Sequence, residues 1–198
     1  MTQLTSEEEK RGILENVKAG VVSAIKGVGD VAGAAVGAVS GTLVTALKGV
    51  NEVTSEATSL IFDTVREVIQ GVADVGEDLT KAAKGIVVGV IRATKETGTE
   101  ALGAISATAG AVVKSTSEVG GDVAGAARGA VEGAIEGAKE IGMSAEEAAS
   151  AAASGAVKAA GGLGGTVVEQ VRDAVTGTIS GVKVILREPF KGEDEEKK

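Results

Sequence analysis

Ile25-Lys26-Gly27-Val28, followed by Asp30-Val31, decides how this chain is read, because it comes back. Twenty-two residues later it stands as Leu47-Lys48-Gly49-Val50 with Glu52-Val53. It recurs as Ile69-Gln70-Gly71-Val72, Ile91-Arg92-Ala93-Thr94, Val113-Lys114-Ser115-Thr116 and Ile135-Glu136-Gly137-Ala138. Worn copies follow at Val157-Lys158 and Ile179-Ser180-Gly181-Val182. A fixed period of this size is the signature of a repeat architecture.

The period of 22 is two elevens. Eleven residues make three α-helical turns at about 3.67 residues each, so equivalent positions return to one side of a helix. A strand needs alternation with period 2, and an odd repeat cannot hold that phase. Counting Leu14 as position zero, positions 0, 7, 3, 10, 6 and 2 follow one another around the wheel, and nearly all are apolar or small. They form an arc close to half the wheel, wider than a coiled-coil seam. The candidate apolar interaction face is Val21, Ile25, Val28, Leu43, Leu47, Val50, Val65, Ile69, Val72, Val87, Ile91, Val113, Val131, Ile135 and Ile179.

The other half of the wheel is charged in an ordered way. Lys18, Lys84, Lys95 and Lys139 share position 4, and Lys26, Arg92 and Lys114 share position 1. Asp30, Asp74, Glu96, Glu118 and Glu140 share position 5, and Asp78, Glu100 and Asp122 share position 9. One expectation is a solvated face laced with helix-spaced ion pairs, each a few tenths of a kcal/mol. The other is that parallel copies dock side by side, basic flank to acidic flank.

Position 7 asks whether the helix runs on. Val21, Leu43, Val65 and Val87 alternate with Gly76, Gly98, Gly120, Gly142 and Gly164. Gly142 before Ser144-x-x-Glu147, and Gly164 before Thr166-x-x-Glu169, read as helix stops followed by capped starts. The fold class is therefore all-α and elongated, built either of long helices or hairpins or of an α-solenoid of ~20-residue helices. Residues 1–13 are expected to be an N-terminal cap segment, with Thr5 or Ser6 opening the first helix. Residues 14–185 form the repeat region, and 186–198, beginning just before Pro189, a charged disordered tail.

Composition excludes several functions. The 198 residues hold 30 Gly, no Trp, no Tyr and two Phe, and Val, Ala and Gly dominate, so any core must do almost without aromatic side chains. A net charge of −8 speaks against a nucleic-acid partner, which requires a basic face. With no Cys and no His, thiolate chemistry and the commonest general base and metal ligand are missing. Carboxylates recur once per repeat, which indicates architecture, whereas an active site is normally singular. No catalytic, cofactor-binding or metal-binding residue is expected. The start has no basic n-region and apolar h-region, so a cytoplasmic location is expected.

Gly33-x-x-x-Gly37-x-x-x-Gly41 and the ladder through Gly125, Gly129 and Gly133 are candidate close-packing glycines. Such ladders bring helices together in lipid, but Val31 to Leu47 is short and Gly/Ala-rich for a span, so a peripheral role is expected. Gly161 to Gly165 is not a phosphate loop, because no Lys-Ser/Thr follows it, and reads as a turn.

The 11-residue pattern, with Lys-Gly-Val at Lys26–Val28 and Lys48–Val50, resembles that of synucleins and of the perilipin repeat region. The Val/Thr/Gly/Ala-rich run from Thr166 to Val184 looks perilipin-like, and the whole is similar to group 3 late-embryogenesis-abundant (LEA) proteins. The resemblance implies a chain largely disordered in solution that becomes helical on a lipid surface or on drying. This chain departs from it with a mean hydropathy of +0.22 and a net acidic polar face, which suits an uncharged granule or droplet better than an anionic membrane. The expected function is a non-enzymatic structural protein that coats a hydrophobic or lipid surface, or assembles with copies of itself. The alternative is a LEA-like desiccation or stress-protection protein.

Overall fold

A computed structural model describes residues 2–47 and 54–186. Val50, Pro189 and the charged tail lie outside them, as does the side chain of Val28. Eight helices are seen among the described residues: α1 Thr2–Val28, α2 Val31–Leu47, α3 Ser55–Asp74, α4 Leu79–Thr97, α5 Ala101–Glu118, α6 Val123–Ile141, α7 Ala145–Ala160 and α8 Gly165–Val175. A β-hairpin, β1 Gly177–Ile179 and β2 Val182–Val184, follows. Of the two architectures the period allows, the chain takes the one that folds back.

The turns explain why. Gly29, Gly76, Gly98, Gly120 and Gly142 each have φ between 70° and 75°. In that left-handed conformation a Cβ would crowd the following carbonyl, so glycine is the residue that ends the helix there. Each is followed by a residue that caps the next helix. The Asp78 carboxylate accepts from Thr80 N, Glu100 from Leu102 N and Gly103 N, and Asp122 from Gly125 N. The Ser144 hydroxyl accepts from Glu147 N at 3.3 Å, as its capping spacing predicts. One helix and one turn thus use one 22-residue unit.

Consecutive helices reverse direction, and each helix packs mainly on the one two places away. The odd helices α1, α3, α5 and α7 form one layer and the even helices α2, α4, α6 and α8 the other. This is a two-layer α-solenoid, and it accounts for the width of the apolar arc. An inner helix such as α4 touches α2 and α6 in its own layer and α3 and α5 across it. The core between the layers holds Leu43, Ile61, Ile69, Ile86, Ile91, Ile105 and Ile135, all buried. Toward the C-terminal end it thins to alanine, with Ala148, Ala149, Ala152, Ala153 and Ala156 buried on α7.

Three expectations are corrected. First, α1 begins at Thr2, so residues 1–13 are no separate cap and neither Thr5 nor Ser6 opens the helix. Second, Thr166 lies inside α8; Gly164 precedes it at the cap position without a side-chain hydrogen bond. Third, the last repeat is no helix. Ile179 sits in β1, paired with Val182 across a two-residue turn in which Ser180 (φ 48°) and Gly181 (φ 79°) are both left-handed. Two left-handed residues match the twist of a hairpin, and the β-branched Thr178, Ile179, Val182 and Val184 favour strands. Ile179 and Val184 are buried, and β2 packs on α7.

Candidate interaction surface

The structure places the predicted apolar face inside the stack. Val21, Ile25, Leu43, Leu47, Val65, Ile69, Val72, Val87, Ile91, Val113, Val131, Ile135 and Ile179 are all buried. The chain's own helices cover this arc, so it is not the outer surface of the fold.

Ion pairs of both expected kinds are seen: Arg128–Glu132 is helix-spaced within α6, while four others among the described residues cross between helices, two of them, Lys18–Asp74 and Arg92–Glu140, from basic flank to acidic flank. Lys18 of α1 pairs with Asp74 of α3 at 2.8 Å, and Arg66 of α3 with Glu118 of α5 at 3.2 Å. In the even layer Lys84 of α4 pairs with Glu136 of α6 at 2.6 Å. Arg92 pairs with Glu140, its Nε and Nη2 donating to the two carboxylate oxygens at 2.9 and 3.0 Å. Each of these four joins a helix to the one two places on. The hydrogen bond from Arg92 holds the Glu140 carboxyl below its ordinary range and raises the guanidinium. The hydrogen bond to Glu136 raises the Lys84 ammonium. These groups are largely solvent-exposed, so their pairs fix register more than they add stability. Sequence reading missed Arg66, which stands off the charged positions it singled out, and Glu136, an acid at the otherwise basic position 1. It also placed Asp78, Glu100 and Asp122 on the acidic flank, where the structure makes them helix caps.

The glycine ladders divide. A Cβ on Gly129 would overlap the carbonyl oxygen of Thr80, and one on Gly133 that of Lys84. On α4, a Cβ at Gly85 would overlap the carbonyl of Ala32, and one at Gly89 would lie 2.9 Å from that of Val36. These glycines let parallel backbones of one layer touch. Gly125 is close to Asp122 and the Thr80 hydroxyl. Gly33, Gly37 and Gly41 do not pack closely against another helix, contrary to expectation. All three are exposed, and a Cβ on Gly37 or Gly41 would meet nothing within 4 Å.

The contrast follows from position in the stack. Counted from the capping acid, Gly37 and Gly41 stand 7 and 11 residues after Asp30. Gly85 and Gly89 stand at the same steps from Asp78, and Gly129 and Gly133 from Asp122. On α6 the stripe is seated on α4, and on α4 it is seated on α2. On α2, among the described residues, no helix receives it.

Among the described residues, no group of three or more His, Cys, Asp or Glu is placed to hold a metal ion. No described helix is long and apolar enough to cross a membrane. Grooves along the outer faces are lined by charged side chains, as where Arg11, Lys18, Asp63, Arg66 and Glu67 meet between α1 and α3. No protein-family model matches the chain, and no curated protein matches it.

Proposed function

We propose that this is a non-enzymatic structural protein that acts through the outside of its helical stack, by self-association. One observation carries the reading: the close-packing stripe, covered at α4 and α6, is uncovered on α2 among the described residues. A solenoid end stays solvated when its last repeat turns a polar face outward. The opposite end does so, for α8 presents Glu169, Gln170, Arg172 and Asp173, all exposed. Helix α2 carries no charged residue over its 17 positions. Recurrent paired charges, rather than one pocket with an unpaired nucleophile and base, support a scaffold over a catalyst.

A second reading, a peripheral coat on a lipid or hydrophobic granule surface in the cytoplasm, draws support from the thin alanine core. Helices held by so little apolar area exchange their neighbours for an apolar surface at low cost. A LEA-like protectant stands third, on the same repeat. Far-UV circular dichroism with size-exclusion light scattering in plain buffer separates them. Strong helicity with a mass above the 19.4 kDa of one chain supports self-association. A helix-poor monomer that gains helix on neutral lipid droplets supports the coat. One that gains helix only on drying or in trifluoroethanol supports the protectant.

A further inference from the structure

We infer that residues 176–185 are a removable cap: a hairpin that covers α7 in one state, and a helical continuation of α8 that leaves α7 uncovered in the other. The hairpin state is the one described above, with β2 packed on α7. The helical state follows the repeat register. Val168, Val171 and Val175 of α8 continue as Ile179, Val182 and Ile185, at steps of three or four residues, which is the spacing of one helix face. Lys183 falls at position 4 with Lys84 and Lys139, and Gly181 at position 2 with Gly71 and Ala82. Two features of α8 point the same way. It has 11 residues, against 20 in α3 and 19 in α4 and α6, and running on to Ile185 would bring it to their length. It also stops differently, for α4 and α6 end on a left-handed glycine, whereas α8 ends on extended Thr176.

Val184 and Ile185 divide the two states between them. In the hairpin Val184 is buried, while Ile185 is 59% exposed, the one exposed large hydrophobic among the described residues. On a helix Ile185 stands at position 6, on the apolar arc with Val75 and Ile141, and Val184 at position 5, where Asp74, Glu118 and Glu140 stand. Switching exchanges the burial of one for that of the other, so the apolar areas nearly balance. The hairpin holds Ser180 at φ 48°, the one described non-glycine residue with positive φ. It pairs only three residues per strand, too few to be stable without packing. The helix has to accommodate Gly177 and Gly181. What holds the hairpin is therefore its packing on α7, the contact that the helical state gives up.

Restoring the repeat at two positions tests this. Gly181→Ala with Val184→Glu puts residues of the repeat's own kind at positions 2 and 5. Both oppose the hairpin, where the alanine would sit at φ 79° and the carboxylate would be buried. Backbone chemical shifts and amide exchange read the outcome residue by residue. The wild-type chain should show strand shifts at 177–179 and 182–184. The double variant should show helical shifts unbroken from Gly165 to Ile185, with α4 to α6 unchanged and a loss of exchange protection along α7. Ile185→Lys should leave the wild type unchanged and cost the double variant its helix beyond Val175. Coil shifts from Thr176 onward in the double variant would overturn the proposal, since the hairpin would be broken with no helix behind it. Helical shifts with α7 protection intact would overturn the role as a cap. Where the double variant does not fold, Val184→Glu alone decides by the same shifts: helix at 177–185 supports the switch, and coil or a retained hairpin overturns it.

Discussion

The same substitution, Gly→Ala, should act with opposite sign at two helical positions of this chain. At Gly133 the new methyl would run into the Lys84 carbonyl, with its Cα 3.0 Å and its carbonyl carbon 3.1 Å away. All three atoms are backbone, so no side-chain rotation relieves the overlap and α4 must move from α6. Such overpacking costs about 1–3 kcal/mol, offset by the ~1 kcal/mol that alanine gains over glycine in a helix. The net expected for Gly133→Ala is a loss of about 1 kcal/mol, taken at the middle of that range. At Gly20 of α1 a Cβ meets nothing within 4 Å, so Gly20→Ala keeps the gain of roughly 0.5–1 kcal/mol. For a chain of this length 1 kcal/mol moves the melting temperature by about 2–4 °C. Paired thermal and urea melts should therefore show Gly133→Ala below and Gly20→Ala above the wild type. Stabilisation by both would mean that α4 and α6 do not approach closely, and the reasoning about the ladder would fail.

Ile91→Ala removes a fully buried side chain that also packs over Gly137, and should lower stability by about 2–5 kcal/mol in urea melts. Ser144→Ala removes the acceptor for Glu147 N and should cost ~1 kcal/mol, with the loss of amide-exchange protection centred on the first turn of α7. For Arg92 and Glu140, a double-mutant cycle to alanine should give a coupling of about 0.2–1 kcal/mol at neutral pH, reduced by salt. The sign with pH follows from the lowered Glu140 carboxyl. Its contribution is present above the unfolded value near 4.5 and disappears as pH falls through the lower folded value. A coupling that grows on acidification would contradict this.

The period was legible in the sequence because each helix must present its apolar arc to the same neighbours, which forces Ile69, Ile91, Val113 and Ile135 into one register. Fold-back was legible only as an alternative, since Gly76 and Gly98 can end a helix or let two helices touch. What decides is the cap two residues on, Asp78 or Glu100, whose carboxylate holds the next helix start. Gly29 was harder, because it lies three residues before position 32, where two 22-residue steps back from Gly76 would place it. The C-terminal hairpin was hidden by the regularity of the repeat, which carried the helical register through Ser180-Gly181. The candidate surface was legible in kind and not in place. Gly37 and Gly129 read alike, and only the order of helices in the stack covers one and leaves the other open.

The central claim is that the chain folds back so that helices two apart lie side by side, and one distance tests it most directly. With Lys84→Cys and Glu136→Cys in an otherwise cysteine-free chain, spin labels replace an ion pair 2.6 Å long between α4 and α6. Pulsed electron–electron resonance in plain buffer should give one narrow distribution at the short limit of the method. Labels about 78 Å apart, the length of 52 residues in one unbroken helix at 1.5 Å per residue, would contradict the account. So would the broad distribution of a disordered chain.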